Sequence, residues 1–167
     1  MTQTRGRAGG TEGRAAGTDR KTPAETVAEF FAAYSKHDVP AMADLCTDNA
    51  GFHYLPVEIW GKQRVVRGDG KVHAIGRVIW SGLIAAFPDL SNEVTSLSAA
   101  ADGTVVAEVT LSGTQAAPWG VIASKGKRFN LPHLFVLHVN ADGLIDNVTA
   151  YWDNASFYRQ LGHAEVD

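Results

Sequence analysis

A single cysteine, Cys46, stands among 167 residues, so no internal disulfide can form and nothing in the composition points to an oxidising compartment. Cys46 itself reads as a small buried apolar side chain. Long hydrophobic runs are also missing. None approaches the roughly 18 residues a membrane span requires, and the first 22 residues carry no apolar core of the signal-peptide kind. A cytoplasmic protein without membrane association is the expectation. There is no His/Cys/Asp cluster at metal-ligand spacing, no glycine-rich phosphate or dinucleotide loop, and no GxSxG nucleophile turn. Neither a metal nor a cofactor is expected.

Basic charge is not in excess. The formal charge is −3, and residues 1–21 hold five basic against two acidic side chains, a net of +3 that leaves −6 for the remainder. An acidic body argues against a nucleic-acid surface. The leader, residues 1–21, is rich in Gly, Thr, Ala and Arg without apolar periodicity and is expected to be disordered. Residues 22–167 are of a length and composition (45% hydrophobic over the whole chain) that suit one domain with a real core.

Within that domain Thr22, Pro23 and Glu25 form a helix-start signature with a capping box. Val27, Phe30, Phe31 and Tyr34 follow at helical spacing. "AMADLCTDNA" predicts a second, short helix and "AGFHYL" an aromatic-rich strand. Ile75, Val78, Ile79, Leu83 and Phe87 predict a third helix that ends before Pro88. From residue 91 the period falls from about four to two. "NEVTSLSAA", "GTVVAEVTLSGT", "KRFNLPHLFVLHV" and "LIDNVTAYWD" then read as strands, separated by turn signals at Asp102-Gly103, Gly126 and Asp142-Gly143. Helices first and a strand meander afterwards predict an α+β fold with helices on one face of a mostly antiparallel sheet.

Alternation along 131–139 puts His133, Phe135, Leu137 and Val139 on one face, with Leu134, Val136 and His138 on the other. If Ala141-Asp142-Gly143 is a three-residue turn, Asn140 pairs with Leu144. His133 then lies opposite Tyr151, with Thr149 and Asp153 on the same face. A carboxylate and an imidazole among aromatics suit general acid–base chemistry, because burial raises a carboxyl pKa toward neutrality. Asp153 can equally serve as the N-cap of a helix over "NASFYRQL". His53 in "GFHYLP" is a further candidate to point inward.

"FPDL" closing the third helix, "VAEVTLSGTQAAPWG", "GKRFNLPHLFVLHVNADGLI" and the terminal "YWDNASFYRQLG" together resemble the SnoaL-like polyketide cyclase and ester cyclase family, of the nuclear-transport-factor-two-like superfamily. The resemblance covers about residues 23–163. It implies a cone-shaped α+β barrel in which a curved sheet wraps around N-terminal helices, usually paired into a homodimer through the outer sheet face, here through Leu134 and Val136. It also implies cofactor-independent acid–base ring closure of an aromatic, polyketide-like small molecule. Asp153 matches the position of the catalytic acid–base, and His133 that of an assisting histidine. Tyr34, His53, Tyr54, Trp119, Phe135 and Tyr151 would contact substrate. The chain departs from the family pattern at His138, where arginine is frequent, and in "LPHL", where glycine is common. Isomerase, dehydratase, epoxide hydrolase and noncatalytic binding proteins share the fold and remain alternatives.

Overall fold

A computed structural model describes residues 20–57 and 68–163; the expected disordered leader lies outside the described residues apart from Arg20 and Lys21. Helix α1, Pro23–Ser35, starts as its sequence dictates. The Thr22 hydroxyl accepts from the Glu25 amide, and the Glu25 carboxylate accepts from the Thr22 amide at 2.7 Å. Its apolar stripe of Val27, Phe30, Phe31 and Tyr34 is buried. Helix α2, Val39–Asp44, is capped by Asp38 and has a proline in its first turn. It therefore starts and ends earlier than "AMADLCTDNA" suggests. Cys46 already opens strand β1, Cys46–Val57, and burial pushes its thiol pKa up to about 12, which leaves it inert.

The third helix begins with a wide π-helical turn, Val72–Gly76, and continues as α3, Arg77–Ala86. The π turn holds more residues per turn than an α-helix, which shifts the phase of the stripe around it. Leu83 and Phe87 are buried as the spacing predicts and Trp80 and Ala86 join them, whereas Ile75 and Val78, expected in the core, are 39% and 68% exposed.

Six strands form one sheet in the order β2-β1-β6-β5-β4-β3. Strand β2, Gly68–Lys71, has the sequence GDGK, too short and polar to announce itself as a strand. Strands β3 (Ser91–Ala99), β4 (Thr104–Thr114), β5 (Arg128–Val139) and β6 (Ile145–Asp153) follow the predicted segments within a residue or two. All pairings are antiparallel except β1 with β6, which run parallel. Helix α1 packs against β3, β4 and β5, and the curved sheet closes around it as a cone. A short helix α4, Asn154–Gln160, ends the described chain.

The β5–β6 register differs from the expected one, and the cause is local. The turn forms as foreseen: the Asn140 amide donates to the Leu144 carbonyl at 2.9 Å, and Gly143 takes the left-handed conformation at φ 82°. Immediately beyond it, Val139 pairs with Ile145 but His138 pairs with Asn147, so Asp146 is an extra residue in β6. Such a bulge reverses the side on which every later residue of the strand points. His133 therefore pairs with Trp152, not Tyr151. Val148, Ala150 and Trp152 face the core and are buried, while Tyr151 and Asp153 face outward.

Candidate active site

Inside the cone a small cavity of about 20 Å³ is lined by Tyr54, Trp119, Phe129, His133, Trp152 and Phe157, with Leu83 and Leu111 completing its wall. A single water requires roughly 10–15 Å³ by this measure, so the hollow is water-sized. Its aromatic walls come from three places. Tyr54 and Trp152 stand on neighbouring strands β1 and β6, Phe129 and His133 on β5, and Trp119 and Phe157 on elements that close the wide end.

Trp119 belongs to the β4–β5 connection, where its backbone forms a reciprocal pair with Ile122 at 3.0 Å in each direction. Buried Gln115 supports this turn by donating to the Ile122 carbonyl at 3.1 Å. Phe157 comes from α4 and packs 4.9 Å from Phe129 and 5.8 Å from Trp119 between ring centroids. Lys125 donates to the Gly162 carbonyl at 2.7 Å, and His163 Nε2 lies 2.9 Å from the Ala123 carbonyl. Connection and helix thus form one cover.

His133 is the titratable group that the cavity presents. Its ring stacks on Trp152 at 5.9 Å and Phe135 at 6.3 Å, and Nδ1 sits 3.0 Å from the Leu131 carbonyl. A carbonyl only accepts, so Nδ1 carries the hydrogen and Nε2 keeps its lone pair. Burial disfavours the imidazolium and lowers the pKa to about 4, leaving a neutral imidazole at neutral pH.

Of the residues named from the sequence, the cavity brings together His133, Tyr54 and Trp119. Fully buried Phe135 and Tyr34 stand behind its walls as packing. The expectation that Asp153 and Tyr151 share His133's face is overturned by the Asp146 bulge. Asp153 is exposed and caps α4, accepting from the Ser156 amide at 3.0 Å and the Ser156 hydroxyl at 2.7 Å. Those bonds, with the backbone one dominant, lower its pKa, the reverse of the rise that burial would cause. Tyr151 is 38% exposed. His53 lies between inward-facing Phe52 and Tyr54 and so points away from the core, where its Nδ1 pairs with Asp69 at 2.5 Å. His133, Tyr151 and Asp153 nevertheless share a second, open groove of about 410 Å³, with Glu108, Leu134 and Trp152 also in its lining.

Three site features were not foreseen. Trp152 follows from the bulge, and Phe157 from the cover. The third is Trp80 on α3, fully buried, whose Nε1 donates to the Tyr54 hydroxyl at 2.6 Å. The Tyr34 hydroxyl lies near this pair, close enough for mutual repulsion to add to the burial that raises its pKa. It meets the hydrogen-bond geometry of no described residue. Trp80 lies three residues before Leu83 and was legible from the helical spacing of that buried residue.

The family model for the SnoaL-like domain matches residues 27–148. The chain belongs to the SnoaL-like family. Solved structures agree with this SnoaL-like protein in fold. AclR, a candidate hydroxylase from Streptomyces galilaeus, superposes with a TM-score of 0.69 at 19% identity, covering 86% of this chain and 87% of its own. IdmH, a candidate polyketide cyclase from Streptomyces antibioticus, gives 0.67 at 22% identity over 85% and 99% of the two chains. An NTF2-like protein from Burkholderia thailandensis gives 0.67 at 21% identity over 84% and 97%. No curated protein matches the sequence. Among the described residues no helix is long and apolar enough to cross a membrane, and no three His, Cys, Asp or Glu side chains converge as metal ligands would.

Proposed function

We propose that this SnoaL-like protein is a cytoplasmic cyclase that closes a ring in a polyketide-like aromatic molecule by cofactor-independent acid–base chemistry. The observation that carries this reading is a neutral imidazole with a free Nε2 in an aromatic cavity. Likeness of fold to the candidate cyclase IdmH is consistent with it. In this scheme His133 Nε2 removes a proton from carbon flanked by carbonyls. The imidazolium then forms only beside an enolate, whose negative charge offsets the burial that otherwise disfavours it. The enolate carbon attacks a second carbonyl of the same molecule, and the imidazolium returns its proton to the new oxygen. Holding both ends in one aromatic enclosure supplies the orientation. The catalytic role that the resemblance implied for Asp153 passes to His133, since the Asp153 carboxylate caps a helix on the outer face.

The cavity is too small for such a substrate. Binding in this scheme therefore requires Trp119 and Phe157 to swing away.

The test is turnover of aromatic polyketide substrates. His133→Gln should lose 10²- to 10⁴-fold in rate, the usual contribution of a general base, with little change in melting temperature. Asp153→Asn should stay close to wild type. Equal activity in His133→Gln would end this reading.

A further inference from the structure

We propose that Tyr54 is the group that polarises the substrate carbonyl, with Trp80 as its positioning residue. This rests on the cyclase reading and adds a hydrogen-bond donor at the enolising carbonyl, which His133 does not supply. An indole N–H can only donate, so in the Trp80–Tyr54 bond the phenolic oxygen is the acceptor. The neighbouring Tyr34 hydroxyl bears on the same oxygen as a second donor, holding the Tyr54 pKa down against burial, so the hydrogen of Tyr54 itself is left to point elsewhere. Tyr54 lines the cavity and is 6% exposed. The hydroxyl is therefore a donor available to a ligand and shielded from water.

Its direction is fixed from behind. Trp80 is immobilised by edge-on contacts with Phe30 at 5.5 Å and Phe52 at 5.3 Å. Accepting one hydrogen bond also polarises a hydroxyl toward donating the next. Burial raises the Tyr54 pKa, so the phenol keeps its proton and acts as a hydrogen-bond donor without becoming a competing base.

Donor and base address the same volume. Tyr54 packs edge-on against Trp152 at 5.6 Å, and His133 stacks on that same indole at 5.9 Å. A flat ligand occupying this space can present a carbonyl oxygen to the Tyr54 hydroxyl and the adjacent acidic C–H to His133 Nε2. As the proton leaves carbon for nitrogen, charge accumulates on the oxygen that Tyr54 already holds. A donor aimed at such an oxygen in a dry site is among the strongest contributions to catalysis. The substrate class is thereby narrowed to ketones whose enolisable carbon is next to the bound carbonyl.

The test uses 1-indanone and indane, which share a ring skeleton and differ by one carbonyl oxygen, with affinity measured by calorimetry. Wild type should prefer the ketone about tenfold, the equivalent of one net hydrogen bond. In Tyr54→Phe the preference should vanish or reverse, because an unpaired carbonyl is then buried. Trp80→Phe leaves Tyr54 in place and should reduce the preference several-fold, a change that loss of packing alone would impose equally on both ligands. His133→Gln should keep the preference while losing turnover, which separates failure of the base assignment from failure of this one. An unchanged preference in Tyr54→Phe would overturn the proposal. So would the absence of binding by both molecules to wild type and to Phe157→Ala, whose cavity is larger.

Discussion

In the proposed scheme His133 takes the base's part expected of Asp153, and its burial shows in how the fold responds to pH. The folded pKa of His133, about 4, lies below the ordinary 6.5, so the unfolded chain binds the extra proton between those values. Above pH 6.5 there is no penalty; as pH falls from 6.5 toward 4 the folded state loses roughly 2–3 kcal/mol relative to the unfolded one. Urea denaturation of wild type and His133→Gln across this range should show the variant losing less stability on acidification. His138 acts with the opposite sign. Bonds to Asp146 at 2.6 Å and to the Asp102 carbonyl at 2.9 Å, the Asp146 bond dominant, raise its pKa. Its contribution is complete below 6.5 and fades as pH rises through the folded value. Asp153→Ala should cost about 1 kcal/mol by loss of the α4 cap, measured as a shift in the urea midpoint.

For single elements, the sequence was most informative where local chemistry decides. The capping box at Thr22, the glycine turn at Gly143 and the period-two strands all form where the residue pattern puts them. It was least informative where one added residue changes the phase. Around the π turn at 72–76 the predicted Ile75 and Val78 leave the buried stripe while Leu83 and Phe87 keep it, and Asp146 reversed the far half of β6. Alternation alone cannot distinguish the two registers, because both faces of β5 and β6 carry apolar side chains. Removing Asp146 should force Tyr151 and Asp153 into the core. We expect that deletion to abolish cooperative thermal unfolding by circular dichroism. The cover offers a milder test: Phe157→Ala should lose about 3–5 kcal/mol while gaining affinity for small apolar ligands such as indane, since a cavity lined by apolar groups stays dry and binds them.

Among the described residues, one face of the sheet carries exposed apolar side chains. Leu55, Tyr151 and Leu134 are register partners across three adjacent strands and are 43%, 38% and 38% exposed. With the partly exposed Val136 beside them they form an apolar band, the kind of surface a second subunit covers. The homodimer expected from the family resemblance is proposed to assemble here. Leu134→Lys combined with Tyr151→Lys should give a monomer by light scattering, with His133-dependent turnover as the measure of whether each subunit acts alone. The fold was readable from the sequence because its cone is built from many consistent local signals. The site was readable only in part: His133, Tyr54 and Trp119 line the cavity as named, but Asp153 and Tyr151 depended on which face of one strand meets the interior.

The place of β6 between β1 and β5 also governs how the chain is made. The middle of the sheet is the last strand to leave the ribosome, so the β1–β2 pair and the β3–β5 meander each wait with an unpaired edge. Such edges invite pairing with neighbouring chains. A chain stopped before residue 145 therefore holds two separate half-sheets instead of a smaller cone.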